Sequence, residues 1–93
     1  ESGNFERINV TTKTFDDIMK NYPIKTIDFM SLDVEGYELP ILNSINFSEY
    51  SFRFITVEEN GYGNEITALL TKNGYKYLMR AGCDIMFVPD TPA

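Results

Sequence analysis

The sequence predicts a small α/β fold: a mostly parallel sheet covered by helices, with an antiparallel hairpin at its end. Three observations lead to this fold class. The chain has 93 residues of ordinary globular composition, 43% hydrophobic and 24% charged, which suits one small domain or part of one. Strand-like and helix-like segments alternate along most of it, as they do when helical crossovers join parallel strands. The last two strand-like segments, 75–80 and 84–88, are separated by a short turn around Gly82.

The first half of the chain supplies an edge strand, a helix and a central strand. Residues 7–10 alternate polar and apolar side chains, which predicts a short edge strand. In 14–22 the apolar side chains recur every three or four residues and predict a helix, which Pro23 ends. The apolar side chains of 26–32 predict the first central strand.

The second half repeats the alternation before the hairpin. A helix is predicted over 37–45, where Pro40 lies in the first turn and its missing N–H is not needed. Residues 52–57 form the most strand-like segment of the chain. Asn64 is expected to cap the next helix, and Gly74 is expected to end it in a left-handed conformation.

Charge and composition exclude several classes of function. Eight basic and fourteen acidic residues give a net charge of −6, which argues against a nucleic-acid partner because phosphate binding depends on Lys and Arg. No apolar run approaches the ~20 residues that span a bilayer, so no membrane partner is expected. Without His there is no imidazole base, and Cys83 alone forms neither an internal disulfide nor a Cys-clustered zinc site. An unpaired Cys fits a reducing compartment, and we expect a cytoplasmic location.

Acidic and amide side chains follow both predicted central strands. In an open α/β sheet, ligands bind beyond the carboxyl ends of the strands, so these side chains lie where a site is expected. If the two strands are neighbours, the two groups lie side by side. After the first strand come Asp33, Glu35 and Glu38, and after the second come Glu58, Glu59 and Asn60.

Oxygen ligands of this kind suit a hard cation. Asp, Glu and Asn oxygens, together with waters, are what Mg²⁺ prefers. We therefore predict a metal site formed by Asp33, Glu59 and Asn60, with Glu58 or Glu35 as a substitute ligand. The same residues could instead hold a polar substrate, or a carboxylate with a shifted pKa could act as a base.

Structural roles compete with these functional ones. Acidic residues at strand ends often accept N–H groups of the loop or cap the next helix, a role that we favour for Glu38 more than for Asp33. Glu35 suits a helix N-terminus, where the helix dipole stabilises a carboxylate. Glu58 and Glu59 can equally belong to a solvated turn. The residues themselves leave both interpretations open.

One segment has the pattern of a known family. Residues 26–42 read TIDFMSLDVEGYELPIL and resemble the "IDxxKIDVEGxExxVL" signature of the FkbM-type methyltransferases. Ser31 stands where that family usually has Lys. Flanking segments that also agree with the family are 10–18, 55–58, 69–75 and 84–88, so the resemblance extends over nearly the whole chain.

The resemblance implies an enzyme that uses S-adenosylmethionine, with Asp33 and Glu35 as catalytic residues and a small molecule or glycan as the acceptor of an O-methyl group. It also implies a Rossmann-like methyltransferase fold, of which 1–93 would be the C-terminal part of a single domain. The family's cofactor-binding glycine loop follows the first strand, whereas Gly-x-Gly occurs here only at 61–63, after a late strand. Since the chain also begins at Glu1 rather than Met, we expect the cofactor-binding half to be absent and the fragment to be inactive alone. Some methyltransferases of this general fold bind Mg²⁺, in agreement with the predicted metal site.

Two other classes of function stay open. In a receiver-like signalling domain a strand also ends in Leu-Asp, and Asp33 would then be the phospho-acceptor. Such a domain needs an acidic pair after its first strand and a Lys at a later strand end. Here Asp16 and Asp17 lie within a predicted helix, and the later strand is followed by Glu58. The remaining alternative is a binding module without catalysis.

The expected truncation also predicts an assembly. In the complete fold strand 26–32 would be central, and without its neighbour it would expose an apolar edge of unpaired N–H and C=O groups. We therefore predict a homodimer through this edge, with antiparallel pairing about a two-fold axis. The alternative is that 1–13 fold back and cover the edge.

Overall fold

The computed structural model describes residues 7–10 and 25–90, and the helix predicted over 14–22 lies outside these ranges. The described part is an α/β domain with two helices and two sheets. Its elements in chain order are β1 (Arg7–Val10), β2 (Thr26–Ile27), β3 (Phe29–Leu32), α1 (Glu38–Ser44), β4 (Ser51–Phe52), β5 (Ile55–Glu58), α2 (Gly63–Lys72), β6 (Tyr75–Ala81) and β7 (Asp84–Pro89).

The larger sheet has five strands in the order β1-β3-β5-β7-β6. β3 is parallel to both β1 and β5, whereas β7 is antiparallel to both β5 and β6. The predicted α/β class and the antiparallel hairpin of β6 and β7 are confirmed, but this sheet is mixed rather than mostly parallel. β2 and β4 form a separate, two-stranded parallel sheet.

β3 lies inside the large sheet rather than at its edge. Met30 of β3 is in register with Ile8 of β1 on one side and with Ile55 of β5 on the other. The prediction that strand 26–32 exposes an unpaired edge is therefore wrong for β3, because β1 pairs along it as the predicted edge strand. A homodimer cannot use that edge while β1 occupies it. β1 covers this edge, as the alternative considered above predicted.

The strands predicted over 26–32 and 52–57 are each interrupted. Asp28 separates β2 from β3, and Arg53 and Phe54 separate β4 from β5. The two interruptions are adjacent, and Arg53 Nε contacts Asp28 Oδ1 at 3.1 Å. An ion pair thus accompanies the division of one predicted sheet into two.

Both helices start at the carboxyl edge, the edge of the large sheet at which β3 and β5 end. α1 begins directly after Tyr37, and Pro40 lies in its first turn as predicted. α2 begins directly after Tyr62, so Asn64 lies within the first turn and its predicted role as the cap is wrong. The end of α2 is as predicted, since Gly74 follows it with a φ of +95°.

The core contains side chains from all described strands of the large sheet and from both helices. Leu32 and Val57 are in register near the ends of β3 and β5, so the residues that follow these two strands emerge side by side. Among the described residues, neither helix is long and apolar enough to cross a membrane. The fully buried side chains of the core include Ile27, Met30, Leu32, Leu42, Phe52, Ile55, Ile66, Leu70, Ile85 and Phe87.

Candidate functional site

The chain makes a tight turn directly after β3 and Asp33. The Tyr37 N–H donates to the Val34 carbonyl at 3.2 Å, and the two residues between them have φ values of +49° at Glu35 and +102° at Gly36. Positive φ at both central positions is typical of a type I′ turn, and glycine adopts it without steric cost. Gly36 is therefore a turn residue.

Glu38, the first residue of α1, has a fully buried carboxylate. Its Oε2 accepts the Val34 N–H at 3.1 Å and the side-chain amide of Asn60 at 3.0 Å, and its Oε1 accepts the Gly36 N–H at 2.9 Å. A carboxylate is costly to bury unless hydrogen bonds replace its water, and these three donors do so. The predicted role of Glu38 as an acceptor of loop N–H groups is confirmed.

Three carboxylates converge at the carboxyl edge, and we call Asp33, Glu38 and Glu58 the acidic group. Each offers one oxygen, and these oxygens lie within 4.8 Å of one another. Asp33 is exposed, Glu58 is half-buried and Glu38 is buried, so the group meets solvent through Asp33. One cation with oxygens at about 2.0–2.6 Å could be shared over such distances.

The pKa of the Glu58 carboxyl is raised above its ordinary value of 4.5. The main cause is a hydrogen bond with the carboxyl of Asp33, followed by burial and by the negative charge of Asp33, while a hydrogen bond from Asn60 opposes the shift. Glu58 Oε1 is buried and has no hydrogen-bond partner among the described residues. A proton shared between Glu58 and Asp33 would provide one.

The other two predicted metal ligands have different neighbours. Glu59 Oε1 accepts from Arg80 Nη2 at 3.2 Å, and the amide nitrogen of Asn60 points at Glu38. Shared ligation by Asp33, Glu59 and Asn60 would require Glu59 to leave Arg80 and Asn60 to turn its oxygen inward. That ligand set stays a prediction, and it has only Asp33 in common with the acidic group.

The sequence interpretation locates the site at the carboxyl edge but gives two of its residues minor roles. Glu58 enters it only as a substitute ligand, although strand alternation sends Glu58 and Glu59 in different directions. Glu38 is given only a structural role. Its position two residues after Gly36 indicates that its side chain can accept a hydrogen bond from the turn. Glu35, predicted to be catalytic, is exposed in the turn and lies outside the acidic group.

Comparison with known families agrees with this geometry. The profile described as the methyltransferase FkbM domain matches residues 1–77, which includes both turns of the carboxyl edge. The chain belongs to the methyltransferase FkbM family. No curated protein and no solved structure matches it.

Membership of the FkbM family favours one of the classes of function left open by the sequence. It confirms the resemblance read from 26–42 and indicates a methyltransferase. The receiver-like alternative, with Asp33 as phospho-acceptor, is not favoured. The matched region contains Asp33, Glu35 and Glu38. These residues extend from the end of β3 to the start of α1.

Proposed function

We propose that the chain is the C-terminal part of a Rossmann-like methyltransferase domain that uses S-adenosylmethionine, with the cofactor-binding half upstream. The proposed reaction transfers a methyl group to an oxygen of a small molecule or glycan. The observation that supports it best is the position of Asp33, an exposed carboxylate beside Glu58 at the carboxyl edge of an FkbM-family chain. A cytoplasmic location, suggested by the exposed and unpaired Cys83, belongs to the same proposal.

The side chains at the carboxyl edge fit a cationic methyl donor and a hydroxyl-bearing acceptor. The acidic group makes this edge negative, which favours the sulfonium charge of S-adenosylmethionine. Tyr37 and Tyr62, which precede the two helices here, are 69% and 43% exposed and offer aromatic faces to a cation or a sugar ring. When bound, the cofactor supplies an electrophilic methyl group.

Asp33 is placed to act as a general base. Its exposed carboxylate would accept the proton that an acceptor hydroxyl gives up as the new carbon–oxygen bond forms and the methyl–sulfur bond breaks, with S-adenosylhomocysteine as the leaving group. Glu58 can share that proton, and Asp33 can pass it to solvent. Proton transfer to a positioned side chain contributes about 10²–10⁴-fold to a rate. Glu35 is exposed in the same turn, and we propose that it contacts the acceptor.

The acidic group is also our proposed site for Mg²⁺, a second ligand of the same edge. Asp33, Glu38 and Glu58 would hold the ion, which when bound would polarise the acceptor oxygen. Support comes from the three oxygens within 4.8 Å and from the buried Glu58 Oε1 without a partner among the described residues. A cation and a retained proton compete for Glu58, so the two proposals differ in their pH dependence.

Cofactor binding can be tested by calorimetric titration with S-adenosylhomocysteine. The 93-residue chain should bind it no more tightly than about millimolar, equivalent to about −4 kcal/mol, because the residues that hold ribose and methionine lie upstream. The complete gene product should bind it at micromolar concentration. Micromolar binding to the 93-residue chain would contradict the proposed division, and an upstream sequence without a glycine-rich loop would contradict the proposed cofactor.

The role of Asp33 can be tested by transfer of a labelled methyl group in the complete gene product. Asp33→Asn should lower kcat about 100-fold while changing the affinity for S-adenosylhomocysteine less than about twofold. Asp90→Asn is the matched control, since Asp90 is exposed beyond β7 at the opposite end of the sheet. Equal rates for the two variants would remove Asp33 from the mechanism.

A further inference from the structure

Glu38 has more hydrogen-bond partners than a helix cap requires. An exposed side chain at a helix start satisfies one or two N–H groups of its own turn. Glu38 is instead fully buried, and its third donor, the Asn60 amide, comes from the turn that follows β5. No Lys or Arg of the described residues forms an ion pair with it. Its carboxyl oxygens therefore accept from neutral N–H donors of two different turns.

Two of the three donors lie near a member of the acid pair that we propose handles the proton. Val34, whose N–H is bound by Glu38, directly follows Asp33. Asn60 follows Glu58 by two residues, and its amide also approaches the Glu58 carbonyl oxygen at 3.5 Å. The hydrogen bond between Glu38 and Asn60 thus connects the backbone beside Asp33 with the backbone beside Glu58.

We propose that Glu38 and Asn60 are positioning residues that hold Asp33 against Glu58 by fixing the two turns to each other. This inference rests on the proposed function, because it assumes that the Asp33–Glu58 pair takes part in methyl transfer. In this role Glu38 and Asn60 act through Asp33 and Glu58 and not on the reacting atoms themselves. A displacement of about 1 Å at a reacting group can cost about 100-fold in rate, which sets the scale of the expected effect.

The hydrogen bond can be broken from either side and then restored with its polarity reversed. In Glu38→Gln an amide NH₂ replaces one acceptor oxygen, and in Asn60→Asp a second carboxylate faces that of Glu38. The double variant pairs a donor at 38 with an acceptor at 60 and keeps the net charge of the chain. Its restoration is partial, because the Val34 N–H shares the Glu38 oxygen that accepts from Asn60.

We expect each single variant of the complete gene product to lower kcat about 10–100-fold with KM changed less than about threefold. The double variant should regain at least about tenfold over the slower single variant. Matched controls are Glu65→Gln and Asn64→Asp, the same substitutions at exposed positions in the first turn of α2. Additive losses in the double variant, or single variants as active as the controls, would overturn the proposal.

Amide hydrogen exchange gives a readout that does not depend on methyl transfer. Exchange at Val34 and Gly36 should accelerate at least about tenfold in Glu38→Gln, and exchange at Val34 should also accelerate in Asn60→Asp and slow again in the double variant. If Glu38→Gln fails to fold, Asn60→Ala removes the bond between the turns at an exposed residue and leaves Glu38 unchanged, and it should accelerate Val34 exchange in the same direction. Unchanged exchange in the Asn60 variants would overturn the proposal. A wild-type protein without methyltransferase activity would refute the proposed function alone, and the exchange rates would still decide whether the two turns are coupled.

Discussion

The two ends of the large sheet solve the problem of buried polar groups in different ways. At the carboxyl edge, the carboxyl group of Glu38 is fully buried, and Glu58 keeps a buried oxygen without a partner among the described residues. At the opposite end, Phe52 and Tyr75 pack with Phe47 in tilted and edge-on contacts at centroid distances of 5.8–6.4 Å. We call these three residues the aromatic end. Its buried polar group is neutral.

The aromatic end leaves its backbone satisfied and its side chains uncharged. The Phe52 N–H donates to the Tyr75 hydroxyl oxygen at 2.9 Å, and burial raises the pKa of that hydroxyl, so it stays protonated at neutral pH. The carboxyl edge instead brings three carboxyl groups within 4.8 Å of one another. The difference teaches that one end of the sheet stabilises the fold, while the other retains unfavourable groups, as expected of a site that meets a ligand.

The largest effect expected from this comparison is a core substitution at the aromatic end. Phe52→Ala should lower the free energy of unfolding by about 3–5 kcal/mol, because a fully buried ring is lost and a cavity remains. Urea denaturation measures it, and Tyr37→Ala at the carboxyl edge is the control, with an expected change within about 0.5 kcal/mol since Tyr37 is 69% exposed. Comparable losses in the two variants would break the comparison.

A smaller loss of stability is expected when only the hydroxyl at the aromatic end is removed. Tyr75→Phe should cost about 1–2 kcal/mol in unfolding free energy, because the buried Phe52 N–H loses its acceptor. Tyr77→Phe removes the same atom from a half-exposed ring in β6 and should change stability by less than about 0.5 kcal/mol. Denaturation curves that cannot distinguish the two variants would show that the Tyr75 hydroxyl does not stabilise the fold.

The carboxyl edge, unlike the aromatic end, should make the stability of the chain depend on pH. Because the pKa of Glu58 is higher in the folded chain than its ordinary 4.5, the folded state binds more protons. The stability due to Glu58 is therefore fully present below about pH 4.5 and is lost as the pH rises through the raised pKa. The effect should be modest, since the pair meets solvent through Asp33.

Substitution identifies the source of that pH dependence. Asp33→Asn removes the main cause of the Glu58 shift, so the loss of stability above about pH 4.5 should be smaller in this variant than in wild type. Glu65→Gln, at an exposed position, should leave the pH profile as it is in wild type. Melting temperatures across pH 4–8 measure the difference, and parallel profiles for wild type and Asp33→Asn would exclude the pair as the cause.

The smallest expected effect is stabilisation by a cation. At a Mg²⁺ or Ca²⁺ concentration equal to its Kd, binding to the folded chain adds about 0.4 kcal/mol, or about 2–3 °C in melting temperature for a domain of this size. Glu58→Gln should abolish the rise, whereas Glu59→Gln should abolish it only if the predicted set of Asp33, Glu59 and Asn60 binds the ion. A rise that survives both substitutions would place the cation elsewhere.

Much of the site could be predicted because its signals are local. The order of strands and helices follows from apolar periodicity, and Gly36 and Gly74 mark a turn and a helix end because both require positive φ. Acidic residues that follow two parallel strands predict a polar edge of the sheet. This prediction does not depend on which of the acidic side chains contact each other. The family signature over 26–42 is likewise a property of the sequence alone.

What the sequence determined by itself is therefore the α/β class and the polar edge at which the candidate site lies. The tertiary structure decided which carboxylates meet: Glu58 lies with Asp33 and Glu38, while Glu59 pairs with Arg80 of β6. It also decided that β1 covers the strand predicted to be exposed. These outcomes depend on strand register and on contacts between residues distant in sequence. A one-residue change in register reverses every side chain of a strand, so which carboxylates meet depends on how the strands pair.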